Sequence, residues 1–407
     1  MEKYSEYKDS GVEWLGEIPK HWEVLPGKSI YLENKEKNDG NTHNVLSLSY
    51  GNIIVKENIN DGLVPENYSN YQMIQEGYLI VRCTDLQNDK VSLRTSISNH
   101  EGIITGAYLA LIPKKNVFPK FLHFLFRNWD NTKELYRYGS GLRQSLSWSD
   151  FKNLVLPVPT IEEQIAIANY LDTQTAKIDE AISQQQKMID LLNERKQIIV
   201  NNAVTKGLDP NVPMKDSGVE WIGMIPEHWE IIPMRYLCKI QTGDKDTIMR
   251  NDNGKYPFYV RSPKIEHIDT YSFDGEAVLM AGDGVGAGKV IHYALGKFDY
   301  HQRVYNFHSF YKVKGKFLYY YLSANFKYKI EEGGAKSTVD SVRLPWLKTF
   351  PICVTNIEEQ QKVINKLDII TAQIERAITA IMNTISLLQE RKQIIINEVV
   401  TGKVKVS

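Results

Sequence analysis

The chain is poor in the residues from which catalytic and covalent sites are built. Its 407 residues include three cysteines, Cys83, Cys238 and Cys353, widely separated and in neither CxxC nor CxxxxC spacing. That excludes a disulfide framework and a cysteine-built zinc site, and it fits a reducing cytoplasm. The nine histidines form no HxxH or HxxxH pair, which argues against a metalloenzyme. No Pro-Pro pair occurs, so the Asn/Asp-Pro-Pro-aromatic loop that grips a flipped base in amino-methyltransferases is missing. A GxSxG elbow is missing too. No 18-residue apolar run is present, as a membrane span would need. Residues 1–8 are polar with no apolar run behind them, unlike a secretory signal. An excess of one charge sign is also lacking. Lys+Arg and Asp+Glu stand at 49 each, whereas nucleic-acid-binding domains are often strongly basic. One glycine-rich run, AGDGVGAGK at residues 281–289, invites a phosphate-loop reading. It lacks the GxxxxGK[ST] spacing, because Val290 follows Lys289, and it sits in no βαβ unit with a ribose-binding acid. It reads as a tight turn, or as glycines that let backbone approach a phosphate. The chain is expected to do no chemistry of its own.

What is present is said twice. KDSGVEWLGEIPKHWEV at residues 8–24 returns as KDSGVEWIGMIPEHWEI at residues 215–231, identical at 13 of 17 positions. Residues 161–200 recur as 357–396 with 21 of 40 identities. The blocks between these frames differ in length and in sequence. A repeat of this size is far longer than a solenoid unit of about 20–50 residues. It implies two domains related by a pseudo-twofold, carrying two different surfaces. Hydrophobic content of 42% is enough for packed cores. The second insert, residues 233–352, carries 18 Lys/Arg against 12 Asp/Glu; residues 27–156 of the first carry 15 against 13.

Thr160-Ile-Glu-Glu163 and Asn356-Ile-Glu-Glu359 each have the form of a capping box. No Pro or Gly follows until Gly207 and Gly402, so each helix can run about 40–45 residues, roughly 60–65 Å. The apolar spacing alternates fours and threes. The first seam reads Leu171, Thr175, Ile178, Ile182, Gln185, Ile189, Leu192, Lys196, Ile199. The second reads Leu367, Thr371, Ile374, Ile378, Ile381, Ile385, Leu388, Lys392, Ile395. Four heptads with this period predict a coiled coil, and the shared threonine and lysine are expected to fix its register. Connectivity makes the pair antiparallel and brings the C-terminus, at Ser407, beside residues 4–8.

Inside the inserts the pattern changes to short strands and turns. Strands are expected at residues 44–48, 78–82 and 108–112, with turns at Asp61-Gly62 and Glu76-Gly77 and a helix over 118–129. In the second insert strands are expected at 258–261, 277–281, 289–293 and 304–307, with a helix over 317–326. Both inserts close on a glycine-rich turn, at 139–141 and 333–334. Polar residues on the expected loops are the candidates for reading a nucleic acid. In the first insert they are Arg82, Thr84, Lys90, Arg94, Ser96 and Arg143. In the second they are Arg261, Lys264, Lys289, His301, Gln302, Arg303 and Lys336. Arginine suits guanine edges or phosphates, and glutamine can pair with adenine.

The repeated DSGVEW-x-G-x-IP-x-HWE block, the IEEQ helix starts and the ERKQII helix ends (residues 194–199 and 390–395) resemble the specificity subunit of type I restriction–modification enzymes. The resemblance covers essentially the whole chain. It implies an α+β fold: two pseudo-twofold-related mixed α/β target-recognition domains separated by a pair of long antiparallel coiled-coil helices. The corresponding segments are 1–159 (first recognition domain), 160–207 (first helix), 208–355 (second domain) and 356–407 (second helix). It further implies that each domain reads half of a bipartite site in double-stranded DNA. The helices would set the spacer and dock two methyltransferase subunits, with translocase–endonuclease subunits completing the enzyme in the cytoplasm. S-adenosylmethionine, ATP and Mg2+ would belong to those partners, and none to this chain. Two rival readings remain at this point: a coiled-coil protein-binding scaffold without DNA recognition, and a self-contained DNA-modifying enzyme.

Overall fold

The computed structural model describes the chain except for residues 1, 41–42, 57–66, 85–92, 139–144, 333–340 and 407. The turns expected at Asp61, at 139–141 and at 333–334 lie outside the described residues, as does Ser407 itself. The chain divides into two compact units, one made of Met1–Gln185 with Asn383–Ser407 and the other of Gln186–Met382. The division cuts both long helices near their middles, so each unit takes half of each.

The repeated frame is a small clasp with the same construction in both units. In the first, Tyr7–Asp9 pairs antiparallel with Glu17–Pro19; in the second, Met214–Asp216 pairs with Met224–Pro226. The DSGV sequence makes the turn. The Asp9 carboxylate accepts from Gly11 N–H at 2.9 Å, and that of Asp216 from Gly218 N–H at 3.0 Å, as Asx turns do. The next strand, Glu23–Pro26 or Glu230–Pro233, pairs with Val155–Val158 or Pro351–Val354. Each insert therefore leaves and returns on one two-stranded ribbon. None of these frame strands was legible in the sequence, because each is only three or four residues long.

Both inserts share a core sheet of four antiparallel strands. Its order is Tyr31–Glu33, Leu109–Pro113, Leu79–Val81, Thr95–Ile97 in the first unit. In the second it is Lys239–Thr242, Val304–His308, Ala277–Ala281, Ile291–Ala294. One helix packs on each sheet, Pro119–Thr132 or Gly315–Glu332. The additions differ. The first unit carries two antiparallel pairings, the hairpin Leu46–Ser49 with Asn52–Val55 and the non-sequential pair Tyr71–Ile74 with Gly102–Thr105. The second carries a further four-stranded sheet that includes Tyr256–Tyr259 and Lys297–Tyr300.

The long helices run Ile161–Lys206 and Ile357–Val400. The second ends well short of 407, at a turn through Gly402, and the tail continues as extended chain in which Lys405 bridges Glu2. The C-terminal segment thus meets residues 4–8 as expected, and Tyr7 Oη donates to the Lys403 carbonyl at 3.4 Å. Along both helices the seam residues are buried or half-buried while their neighbours are exposed. Within the first unit Lys392 Nζ reaches Asp179 at 2.6 Å; within the second Lys196 Nζ reaches Glu375 at 2.8 Å. The 196-residue repeat offset carries one pair onto the other. In each unit the start of one helix and the end of the other share one clasp, so the two half-helices run antiparallel.

That clasp is held by the third helical residue. Glu163 receives His21 Nε2 at 2.9 Å and Trp22 Nε1 at 3.5 Å. Glu359 receives His228 at 2.9 Å and Trp229 at 3.1 Å, and Thr355 as well. Both tryptophans are fully buried. The opposite helix end arrives at a glycine in the left-handed region, Gly402 (φ +73°) or Gly207 (φ +75°). A Cβ on Gly207 would lie 3.3 Å from Trp229 and 3.4 Å from Glu359; one on Gly402 would collide with Pro19 and lie 3.1 Å from Trp22. Burial would raise the Glu359 carboxyl, but the hydrogen bonds from Thr355, His228 and Trp229 outweigh it and hold it below the ordinary glutamate value. Such a group stabilises the fold fully above its unfolded pKa and loses that contribution as pH falls through the depressed one. Glu359→Gln is expected to cost about 1–2 kcal/mol at neutral pH, measured by denaturant unfolding of the full chain. The gap from the parent should narrow below about pH 4; a gap that is constant with pH would contradict the clasp.

Candidate nucleic-acid interface

In the second unit three of the sequence candidates converge. The segment His301-Gln302-Arg303 turns into strand Val304–His308. Gln302 N–H donates to the Lys245 carbonyl and Gly282 N–H to the Arg303 carbonyl, both at 2.8 Å. Asp283 receives Arg261 Nη1 at 3.0 Å and Arg303 Nε at 3.6 Å. Asp246 accepts from Gln302 Nε2 at 3.1 Å. The arginine side chains remain 44% and 66% exposed, so each keeps guanidinium donors turned to solvent while one carboxylate fixes their position. A guanidinium oriented in this way presents a fork suited to guanine O6/N7 or to phosphate oxygens. The glycine-rich run makes the arrangement possible, since a Cβ on Gly286 would sit 2.5 Å from the Arg261 carbonyl oxygen.

His301 belongs underneath this cluster. It is buried, and its Nδ1 accepts from Arg303 N–H at 3.0 Å. Burial first, then the neighbouring Arg261 charge, lowers its pKa. It shapes the turn that carries Gln302 and Arg303 and offers no edge to a ligand. Lys264 is exposed and pairs with Glu266 at 3.4 Å. Lys289 is exposed at the end of the glycine-rich run. Lys90, Arg143 and Lys336 lie outside the described residues. Two carboxylates that sequence reasoning missed, Asp246 and Asp283, hold the cluster together. Asp283 was in view only as part of a rejected phosphate loop.

In the first unit the expectation fails for Arg94 and Ser96. Arg94 is fully buried, and its Nη1 donates to the carbonyls of Thr84 at 2.7 Å and Arg82 at 3.4 Å. It straps a loop from inside the core because backbone oxygens replace the water its charge would lose. Ser96 is buried in strand Thr95–Ile97, its hydroxyl 3.4 Å from the Ile97 carbonyl. Arg82 and Thr84 are half-buried on that strap. Beside it, a groove of about 1100 Å³ is lined by residues that include Tyr50, Lys120, His123, Arg127 and Lys392. Among the described residues no group of three or more His, Cys, Asp or Glu could hold a metal. No helix among them is long and apolar enough to cross a membrane.

The duplicated frame thus holds two unlike inserts, one of them with a carboxylate-held arginine pair, and comparison with known proteins shows what the chain resembles. Residues 226–384 match the family model described as "Type I restriction modification DNA specificity domain". The type I restriction enzyme EcoDI specificity subunit of Escherichia coli is 29% identical over 181 residues, 44% of this chain and 40% of that protein's length. The putative type I restriction enzyme MjaX specificity subunit of Methanocaldococcus jannaschii is 25% identical over 96% of both chains. A solved chain from work on complex assembly and conformational transition of the type I R-M system has the same fold. Its TM-score is 0.71 at 16% identity, covering 95% of this chain and 99% of that one. The chain is thus similar to specificity subunits of type I restriction–modification systems, along 96% of its length in the MjaX comparison, and residues 226–384 carry the family-model match.

Burial separates the arginines by role. Arg94→Ala should lower stability by about 2–4 kcal/mol, leaving buried carbonyls unpaired, whereas Arg303→Ala should stay within about 0.5 kcal/mol of the parent. Chemical unfolding of the full chain measures both, and a neutral Arg94 variant would contradict its interior placement.

Proposed function

We propose that this chain is the sequence-specific DNA-binding subunit of a type I restriction–modification complex, each insert reading one half of a bipartite duplex site. The observation that carries this reading is the near-identity of the two frames against the unlikeness of the inserts they hold. A conserved holder with divergent contents suits two half-sites of different sequence. In the second unit, Arg261 and Arg303 contact guanine edges or phosphates and Gln302 an adenine, with Asp283 and Asp246 positioning them. The net charge of zero is compatible with DNA binding when partner subunits supply phosphate contacts, which usually dominate affinity.

The chain itself supplies no chemistry. Methyl transfer and cleavage belong to two methyltransferase subunits and to translocase–endonuclease subunits, which bring S-adenosylmethionine, ATP and Mg2+ in the cytoplasm. The methyltransferases dock on the long helices. Leu191 and Ile198 are 59% and 53% exposed, and their repeat equivalents Leu387 and Ile394 are 66% and 47% exposed. Each pair brackets the shared ERKQI segment at heptad spacing, so the chain carries the same apolar stripe twice, one for each of two partners. Tethering two weak reading heads makes the second contact intramolecular and raises the overall affinity.

Transplanting residues 233–352 into the frame of another specificity subunit should carry one half-site with it, as read by mapping methylated bases in cells. Retention of the recipient's sequence would reject the assignment of reading to the insert. Binding to partner subunits without protection of any duplex would favour the scaffold reading, and methyl transfer by the purified chain alone would favour an enzyme. Four residues added or removed near Gln185, about one helical turn, should change the length of the tolerated spacer. An unaltered spacer would mean that the helices only dock partners.

A further inference from the structure

Three large apolar side chains stand almost bare among the described residues: Tyr50, Ile248 and Val285, at 92%, 89% and 93% exposure. Scattered exposed apolar residues are normal on a protein surface. Two of these three are held on tight turns that are both tied to residues 301–303, one through Asp283 and Gly282 and the other through Asp246. Val285 is the tip of the glycine-rich turn, whose backbone is tied down by Ala287 N–H to the Gly284 carbonyl at 2.9 Å, Gly288 N–H to the Ala281 carbonyl at 2.8 Å and Val342 N–H to the Gly282 carbonyl at 2.8 Å. Its flank cannot sink back, because Gly286 already lies against the Arg261 backbone. Ile248 sits in the turn Thr247–Met249, capped by Asp246 Oδ1 at 3.2 Å. The other oxygen of Asp246 holds Gln302. Both tips are therefore anchored to the same three residues, 301–303, that present the polar donors.

We propose that Val285, supported by Ile248 on the second turn anchored to residues 301–303, is a specificity-determining residue that receives the C5-methyl group of a thymine in the half-site read by the second unit. This rests on the DNA-recognition reading above and deepens it. In the major groove the one apolar feature on a base-pair edge is that methyl group, while guanine offers O6 and N7 to an arginine. A rigid apolar tip flanked by oriented guanidinium groups matches a thymine next to a guanine. The rival use of an exposed apolar residue, as a wedge between base steps, usually employs Phe, Leu, Ile, Met or Pro. Val285, branched at Cβ and reaching only two carbons from its Cα, is too short to part a stack.

Deoxyuridine removes only the methyl group, so it isolates the contact. The full chain with its methyltransferase partners is titrated with its mapped target duplex and with duplexes in which each thymine of that half-site is replaced singly. The parent should lose roughly four- to fifteen-fold in affinity at one position, the weight of one to two buried methyl-sized groups. Val285→Ala should bind the thymine duplex as weakly as the deoxyuridine one and cease to distinguish them, with an unchanged melting temperature because the side chain is exposed. Ile248→Ala should weaken the same discrimination. Discrimination surviving in Val285→Ala, or a half-site without thymine, overturns the proposal while leaving DNA recognition intact. A 2-aminopurine signal of unstacking that vanishes in Val285→Ala would also overturn it, in favour of a wedge. Failure of the parent complex to bind any duplex would remove the recognition reading itself.

Discussion

A single carboxylate at the third position of each long helix joins three pieces of chain that are distant in sequence. Glu163 and Glu359 draw in the His-Trp of the frame hairpin, and the tryptophan in turn packs on the glycine that ends the other helix. The next residue completes the joint. The Gln164 amide accepts from Phe118 N–H at 2.8 Å and donates to the Pro159 carbonyl at 2.9 Å; Gln360 does the same with Lys314, Lys312 and Thr355. Both glutamines are buried, and their amides tie the backbone just before the insert's helix to the backbone just before the long helix. Every backbone donor and acceptor met there would otherwise cost about 1–3 kcal/mol unpaired. The repeated IEEQ sequence is thus explained by geometry: its glutamate holds the frame and its glutamine holds the insert.

The same economy appears in the coiled-coil seam. Lys196 and Lys392 look like defects in an apolar stripe, yet each meets an acid of the facing half-helix. An ion pair that is partly exposed contributes little to stability. Its value lies in register, because a one-heptad slip would leave a charge against isoleucine. Thr371 similarly bonds the Tyr320 hydroxyl and the Leu367 carbonyl. In the first unit Phe124 stands where Tyr320 does, and Thr175 turns to the Asp172 carbonyl instead. The equivalent lysines of the two insert helices, Lys120 and Lys316, both reach an aspartate of the long helix. The platform under each insert is therefore constant while the side facing away from it is free to diverge.

What could be read from sequence follows from how local its cause is. The long helices were legible because an uninterrupted 3.5-residue period and a capping box are local signals, and the strand at 277–281 because it is continuously apolar. Strand Lys297–Tyr300 was not legible: it alternates charge and aromatic, and buried Asp299 is accommodated only by hydroxyls from Thr270 and Ser272, far away in sequence. Arg94 misled for the same reason. Nothing within its own segment shows that the carbonyls of Arg82 and Thr84 will surround it. In the second insert the arginines were identified but not their holder, since Asp283 gains its meaning only when residues 261, 283 and 303 come together.

That dependence bears on how such a surface changes. The cluster rests on strand Ala277–Ala281, buried along its whole length, and on a neighbouring strand that carries buried Asn306. Substitutions there would disturb the core. The glycine-rich turn above contributes Asp283 and Val285, two positions apart, from a short exposed tip, while Ala287 behind the tip is buried in the core and Gly288 lies against Phe326 and Ile330. A substitution within that tip would re-aim the carboxylate, and with it both guanidinium groups, at less cost to the packing beneath than a change at Ala287 or Gly288. Because the arginines are held by a carboxylate on this tip, their direction is set by an exposed turn rather than by the strand that supports it. Change in the arginine cluster is therefore cheapest at the tip of the turn, and the repeated frame lies where the fold can least absorb it.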